Sequence, residues 1–414
     1  MANKRDRNVI RDLAARVAEL AADPVQEEKR RLWRALNGLR PERPMVMVEQ
    51  VPWHEMNRDE ALTLRCEDPE IRGYEETLRR TLFQAEHFPV DKVVEPFIHV
   101  PKAIENTGFG IRKRDETAVS DPANAIVGHK YENQLETDAD LEKIQAPRIA
   151  HNEAETERRL AVAHDLFEGW LEVRLQGVGC RYPLWDWIAT WMGVENALYA
   201  LVDRPDFVHR LLARMTDNCL SQIDQLEATG GFCEPQSAIH CSGAYADDLP
   251  APGYTPGKPR ARDIWMYGMA QMFATVSPDM FREFEVDYIR RICARFGMVY
   301  YGCCEPLDDR IAEVRRIPNV RKVSMSPWAN QERGARQIGS DYVFSRKPSP
   351  ALLAGESFDA QAVRSDLETT KELCERHGCP LEFILKDIST VRYEPERLFA
   401  WARSAMDIVR KTHP

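Results

Sequence analysis

The sequence predicts an α/β fold, and within that class a (β/α)8 barrel, on three observations. Short apolar runs with the β-branched and aromatic enrichment of strands take turns with amphipathic helical segments, the order that gives parallel strands joined by helical crossovers. Polar and reactive residues sit at the C-terminal ends of several different runs: Glu49 and Gln50, Cys303 to Glu305, Ser324 and Ser326, Lys347, and Lys386 with Asp387. In a closed barrel those ends converge on one mouth, where catalysis occurs. No glycine-rich dinucleotide or P-loop fingerprint follows any run, which weighs against a doubly wound nucleotide-binding sheet.

The first helix rests on Val9, Leu13, Val17 and Leu20, which recur near period 3.6 until Asp23-Pro24 ends the pattern. A charged second helix, EEKRRLWRALNGL, stops near Gly38. The stretch PMVMVEQVPW, bounded by prolines, reads as a buried strand that runs into a loop carrying Trp53, His54 and Glu55. Further strands are expected at VVEPFIHV (93 to 100), LEVRLQGVG (171 to 179), SAIHCSG (237 to 243), GMVYYGCC (297 to 304), VRKVSMS (320 to 326), DYVFSRK (341 to 347) and LEFILKD (381 to 387). Between them RDIWMYGMAQMFATV, SPDMFREFEVDYIRRICARFG and FDAQAVRSDLETTKELCERHG read as helices. His377 and Gly378 mark the end of the last one, since histidine suits the final turn and glycine the position beyond it. Residues 1–40 are thus expected to form an N-terminal helical extension and 41–414 a single barrel, with an elaborated loop region around 101–170.

Composition narrows the function classes. The chain has 414 residues, 43% hydrophobic and 29% charged, with a net charge of -10. No lysine- or arginine-rich block offers the electrostatic footprint of a nucleic-acid binder, so nucleic acid is excluded as a partner. No apolar run reaches the roughly 18 residues needed to cross a bilayer, and the first twenty residues lack the apolar core of a secretory signal. A cytoplasmic protein without membrane association is expected. Its ten cysteines, scattered along a long chain, are then thiols rather than a disulfide framework.

Three groups of residues carry chemistry. In a strand alternate side chains share a face, so Tyr301, Cys303 and Glu305 are expected on one side and Cys304 on the other, although strand ends bend. Thiolate and carboxylate at this spacing suit a borderline-soft ion such as zinc, and His240, in SAIHCSG, is a further candidate ligand. The plainer alternatives are small buried thiols and a core histidine satisfied by a backbone carbonyl. Lys386 and Asp387 can bind an anionic group, hold a ligand or transfer a proton, or else pair with neighbouring charges. Aromatic residues bunch in YPLWDWIATW and IWMYGMAQMF; they wall an apolar pocket or fill the core. Trp53, Trp185, Trp187, Tyr267, Gln271 and Tyr301 are the candidate substrate-binding residues.

Taken together, the stretches at 30 to 47, GVGCRYPLWDWIATWMGVENALYALVDRPDFVHRLL (177 to 212), MVYYGCCEPLDDRIAEVRRIPNVRKVSMSPWAN (298 to 330) and FILKDISTVRYEPERLFAWA resemble the uroporphyrinogen decarboxylase-like superfamily. The resemblance covers most of the chain from about residue 28 onward. It implies a (β/α)8 barrel, and within the family a choice between tetrapyrrole decarboxylases and zinc-dependent methyltransferases that exchange methyl groups with a corrinoid protein. The decarboxylases carry an arginine-rich segment after the first strand. Here that place reads VEQVPWHEM, without the arginine that bidentate carboxylate recognition needs. In the methyltransferases a His-x-Cys pair ends the strand matched by GMVYYGCC; Cys303 falls on the cysteine and Tyr301 on the histidine.

The resemblance implies zinc held by Cys303 with Cys304 and Glu305, and His240, a candidate from its own strand-end position, completes the expected ligand set. Glu55, Lys386 and Asp387 are the implied catalytic residues, with Glu55, Glu305 or Asp387 protonating a leaving phenolate. The expected reaction demethylates a small, methoxylated aromatic donor onto the cobalt of a separate corrinoid (cobalamin) protein, and the resemblance also implies a homodimer. The alternatives are a metal-independent decarboxylase or lyase, and a non-catalytic corrinoid- or tetrapyrrole-binding protein.

Overall fold

Strands made mostly of apolar and small residues can be buried on both faces, and most of the central sheet is built that way. In the computed structural model, which describes residues 2–119 and 127–411, seven parallel strands lie side by side. Their order is Met45–Val48, Leu381–Leu385, Val343–Arg346, Val320–Met325, Met298–Tyr301, Trp265–Gly268 and Cys180–Tyr182. Phe97–Pro101 and Glu172–Gln176 pair with each other, also parallel, as a separate two-stranded sheet. The architecture is α/β, as expected. Among the described residues no strand ladder joins Met45–Val48 to Cys180–Tyr182, so the closed circle of eight expected from the sequence is not seen as a continuous ladder.

Helices cross between successive parallel strands. Pro69–His87 follows the first strand and Glu153–Phe167 precedes Glu172–Gln176. The long Pro205–Ala228 leads towards Trp265–Gly268, and Ala360–His377 precedes the last strand. Local chemistry sets their ends: Asp68 accepts from the backbone of Glu70 and Ile71, while Gly378 ends Ala360–His377 in the left-handed conformation. Ahead of the sheet lie Lys4–Ala21 and Val25–Asn37. The first of these presents Ile10, Leu13 and Val17 to Ile71, Leu78, Leu82 and Phe167, a second core apart from the sheet's own.

Two elements differ from the sequence reading. RDIWMYGMAQMFATV is not a helix: Trp265–Gly268 is a sheet strand and Gln271–Thr275 a 3-10 turn. An unbroken apolar run lacks the polar face that separates a helix from a doubly buried strand, so periodicity misassigns it. SAIHCSG is not a barrel strand either. Ala238–Ile239 and Ser242–Gly243 form a small antiparallel hairpin, with His240 and Cys241 at its tip at φ of 44° and 67°. The region 101–170 carries two more antiparallel strand pairs, Ile104–Asn106 with Ile149–His151 and Asp115–Ala118 with Gly128–Tyr131; residues 120–126 of the expected loop lie outside the described residues. Among the described residues no helix is long and apolar enough to cross a membrane.

Candidate active site

The C-terminal ends of Met298–Tyr301 and Leu381–Leu385 bring Cys303, Cys304, Lys386 and Asp387 together. The strand stops at Tyr301 because Gly302 adopts φ of 92°, a conformation open to glycine and strained for other residues. A Cβ there would meet Leu307 Cδ1 at 2.4 Å. This turn breaks the alternation expected beyond Tyr301. Tyr300, not Tyr301, shares the side of Cys303 and packs edge-on to His240, with ring centroids 5.0 Å apart. Tyr301 faces the other way, its hydroxyl donating to Glu285 Oε1 at 2.9 Å.

The two thiol sulfurs are 3.5 Å apart. Lys386 Nζ donates to Cys303 Sγ at 3.4 Å and meets Asp387 Oδ2 at 2.9 Å; Cys304 Sγ lies 3.8 Å from the same carboxylate oxygen. The bond from Cys304 draws the Cys303 thiol far below its ordinary range against the effect of burial, and His240 and Lys386 add to it. That same bond, together with burial, holds the Cys304 thiol up. Within the pair, charge is favoured on Cys303 over Cys304. Burial works against the Lys386 ammonium, yet the neighbouring Cys303 and Asp387 carry its pKa above the ordinary range.

His240 stacks on Tyr267 with centroids 3.8 Å apart, and burial pushes its pKa down to about 4, so the imidazole is neutral at pH 7. Its Nε2 is buried and without a hydrogen-bond partner. Glu305 is also buried, but its two oxygens accept from the backbone nitrogens of Ala270 (3.0 Å) and Cys303 (2.9 Å). Burial pushes this carboxyl up to about 7.

A zinc ion would need donors of these types. With Zn–S bonds of about 2.3 Å and tetrahedral angles, two zinc-bound sulfurs stand about 3.8 Å apart, close to the observed 3.5 Å. The unpartnered His240 nitrogen is a third donor of the right kind. Among the described residues no three or more His, Cys, Asp and Glu side chains are already arranged to hold an ion. The fit therefore lies in the donor types and the sulfur spacing.

Below the thiols the interior carries a charged network. Lys322 Nζ lies 2.7 Å from Glu382 Oε2, both side chains fully buried, and Ser242 and Ser345 donate to the two Glu382 oxygens at 2.8 and 2.6 Å. Lys347 donates to Ser345 Oγ at 3.0 Å and to the Tyr300 hydroxyl, and burial pushes its ammonium down to about 8. Lys322, Tyr300 and Glu382 were not singled out in the sequence. A signal exists for Glu382, the one charge inside the apolar run LEFIL; Lys322 follows Arg321 in VRKVSM and does not stand out in the same way.

The other candidates are spread more widely. Gln271 Nε2 donates to Asp186 Oδ2 at 2.8 Å, on the side of Glu285 and Glu305, where burial raises the Asp186 pKa. Trp187 is half-buried against Phe109 and Tyr182. Trp185 is wholly buried and donates to the Phe284 carbonyl at 3.0 Å, a core position. Trp53 sits edge-on to Phe83 beneath the Arg80 guanidinium. Glu55 does not join the thiols. Its oxygens accept from Thr390 Oγ1 (2.6 Å) and the backbone of Val391 (2.7 Å) and Tyr393 (3.0 Å), which ties down the loop after Asp387.

No family model matches the chain, and no curated protein sequence does. Among solved structures, one described as a methyltransferase from Methanosarcina mazei matches with a TM-score of 0.51 at 12% identity, over 91% of this chain and 97% of that one. At that identity the likeness is one of fold.

Proposed function

We propose that the chain is a methyltransferase of the uroporphyrinogen decarboxylase-like superfamily, a (β/α)8 barrel in which Phe97–Pro101 is the eighth strand and Glu172–Gln176 runs on into Cys180–Tyr182 as one interrupted strand. It takes a methyl group from a small, methoxylated aromatic donor and passes it to the cobalt of a separate corrinoid protein. The observation that carries this reading is the pair of thiols 3.5 Å apart, with Lys386 on Cys303, at the C-terminal edge of a parallel sheet. The fold shared with the Methanosarcina mazei methyltransferase supports it.

Cys303, Cys304 and His240 would hold zinc, which supplies Lewis-acid polarisation of the ether oxygen when bound. In the reaction the methyl–oxygen bond breaks while the reduced cobalt of the partner provides the electron pair, and the oxygen leaves as a phenol after gaining one proton. The bond from Cys304 and, to a smaller extent, the Lys386 ammonium favour the thiolate form of Cys303. Asp387, half-exposed beside Lys386, is placed to pass that proton from solvent to the leaving oxygen. Tyr267 packs on the face of the His240 imidazole and Tyr300 packs edge-on to it. Glu55 positions the loop that follows Asp387.

Two measurements test the reading. Elemental analysis of chelator-free protein should give close to one zinc per chain, lost in Cys303→Ala and Cys304→Ala. A reduced corrinoid protein should then be methylated from methoxylated aromatic donors. Wild-type protein that takes up no zinc even when supplied with it sinks the metal assignment; failure of transfer across the donor panel sinks the substrate class.

A further inference from the structure

A cavity of about 390 Å³ lies away from the thiols, between Lys4–Ala21, Val25–Asn37 and Pro69–His87. That is within the range of pockets that take small molecules, about 300–1,000 Å³. Its body is hydrocarbon, with Leu20, Leu78, Phe88, Val94 and Ile98 on the walls. Its polar end is cationic, with Lys29 and Arg410 both lining it.

These cations are unusual in what they lack. Lys29 Nζ donates to the Lys92 carbonyl at 2.9 Å and, among the described residues, makes no ion pair. Asp91 and Asp23 act on it only from a distance, and Asp91 is taken up by Arg43 at 2.6 Å. Of the other charges on the lining, Lys92 meets Glu49 at 2.6 Å and Glu95 meets Arg30 at 2.8 Å, while the Asp23 carboxylate accepts from the backbone nitrogen of Val25 at 2.8 Å. Arg410, exposed at the end of the last helix, also has no ion pair among the described residues. Burial pushes the Lys29 ammonium below its ordinary range, and Arg410 adds to that effect. Holding an ammonium partly out of water with only a carbonyl beside it is costly, and an arriving anion would remove that cost.

We infer that this cavity binds a small amphiphilic carboxylate, its hydrocarbon body among Leu78, Phe88 and Val94 and its head group between Lys29 and Arg410. A neutral amphiphile of the same length gains the apolar contacts but not the charge-assisted hydrogen bonds.

The test is isothermal titration of the full chain with decanoate and with decanol. Decanoate should bind one to one, and decanol at least about tenfold more weakly, the factor that a charge-assisted contact is worth. Lys29→Met and Arg410→Gln should each weaken decanoate roughly tenfold and leave decanol unchanged. Because Arg410 is exposed, that variant keeps the test decisive should Lys29→Met fold poorly. Equal binding of the two amphiphiles, no binding of decanoate, or unchanged affinity in Arg410→Gln would each overturn the assignment. Retention on phosphatidylcholine vesicles without binding of monomeric decanoate overturns it in favour of a membrane contact.

Discussion

Lys386 places its ammonium 3.4 Å from the sulfur of Cys303, a residue 83 positions earlier in the chain. The pairing joins the ends of Met298–Tyr301 and Leu381–Leu385, two strands separated in the sheet by Val320–Met325 and Val343–Arg346. It adds to the bond from Cys304, the larger cause, in favouring charge on Cys303, buried though that residue is.

Removing that ammonium should make the thiol harder to ionise. In Lys386→Met the Cys303 pKa rises, and on the acid limb of the pH–rate profile alkylation by iodoacetamide slows by roughly tenfold, the effect of about one pKa unit. Peptide mass spectrometry of the modified protein follows Cys303 directly. An unchanged rate would show that Lys386 does not govern the thiol.

The Lys322–Glu382 pair should behave as a buried ion pair. Burial opposes the Glu382 charge, but Lys322 and Lys347 hold its pKa below the ordinary value of 4.5. A carboxyl depressed in the folded state contributes stability above its unfolded pKa and loses it as pH falls through the folded value. Lys322→Met leaves the carboxylate without its closest partner and should destabilise by about 3–5 kcal/mol at neutral pH. The Glu382 pKa then rises, so the penalty should shrink as pH falls towards 5. Urea unfolding at pH 7.5 and pH 5 checks this, and an equal penalty at both would refute the coupling. The double variant Lys322→Met with Glu382→Met should be milder than Lys322→Met alone.

Gly302→Ala should cost about 2 kcal/mol or more, since the new Cβ adds a steric collision to a strained positive φ. Leu307 and Ser324 stand at 2.4 and 3.2 Å from where it would sit. Cys303 follows directly, so the thiol spacing should shift with it. Denaturation midpoints and zinc affinity measured on one preparation should fall together.

Glu55→Ala removes one acceptor from three donors and should destabilise by about 1–3 kcal/mol. Hydrogen exchange should rise first at Val391 and Tyr393, whose backbone nitrogens lose their partner. Exchange that rises evenly over the whole protein, or nowhere, contradicts a local anchoring role. Methyl transfer in this variant should fall through displacement of Lys386 and Asp387, and Glu55→Gln should retain more activity.

Local patterns were legible where local forces decide. The helix Lys4–Ala21 follows from the spacing of Leu13 and Val17, and the end of Ala360–His377 from His377 and Gly378. Trp265–Gly268 was not legible as a strand, because whether an all-apolar run coils or extends depends on what covers it. His240 was read as a strand-end residue, but positive φ at a two-residue hairpin tip puts it there instead. Tyr301 was placed beside Cys303 by alternation, which holds only while the strand continues, and Gly302 ends it.

By itself the sequence determined the α/β class, most of the strands, and the residues able to do chemistry: adjacent thiols, a following glutamate, and a lysine–aspartate pair at a strand end. Period, glycine and composition act over a few residues and need no partner to be read. Only the tertiary structure decided which of them meet. It set Lys386 on Cys303, turned Glu305 to the backbone, gave Glu55 to a loop and joined Lys322 to Glu382. Each of these depends on sheet order and on the direction the chain takes after a strand ends, and neither is written in the spacing of neighbouring residues.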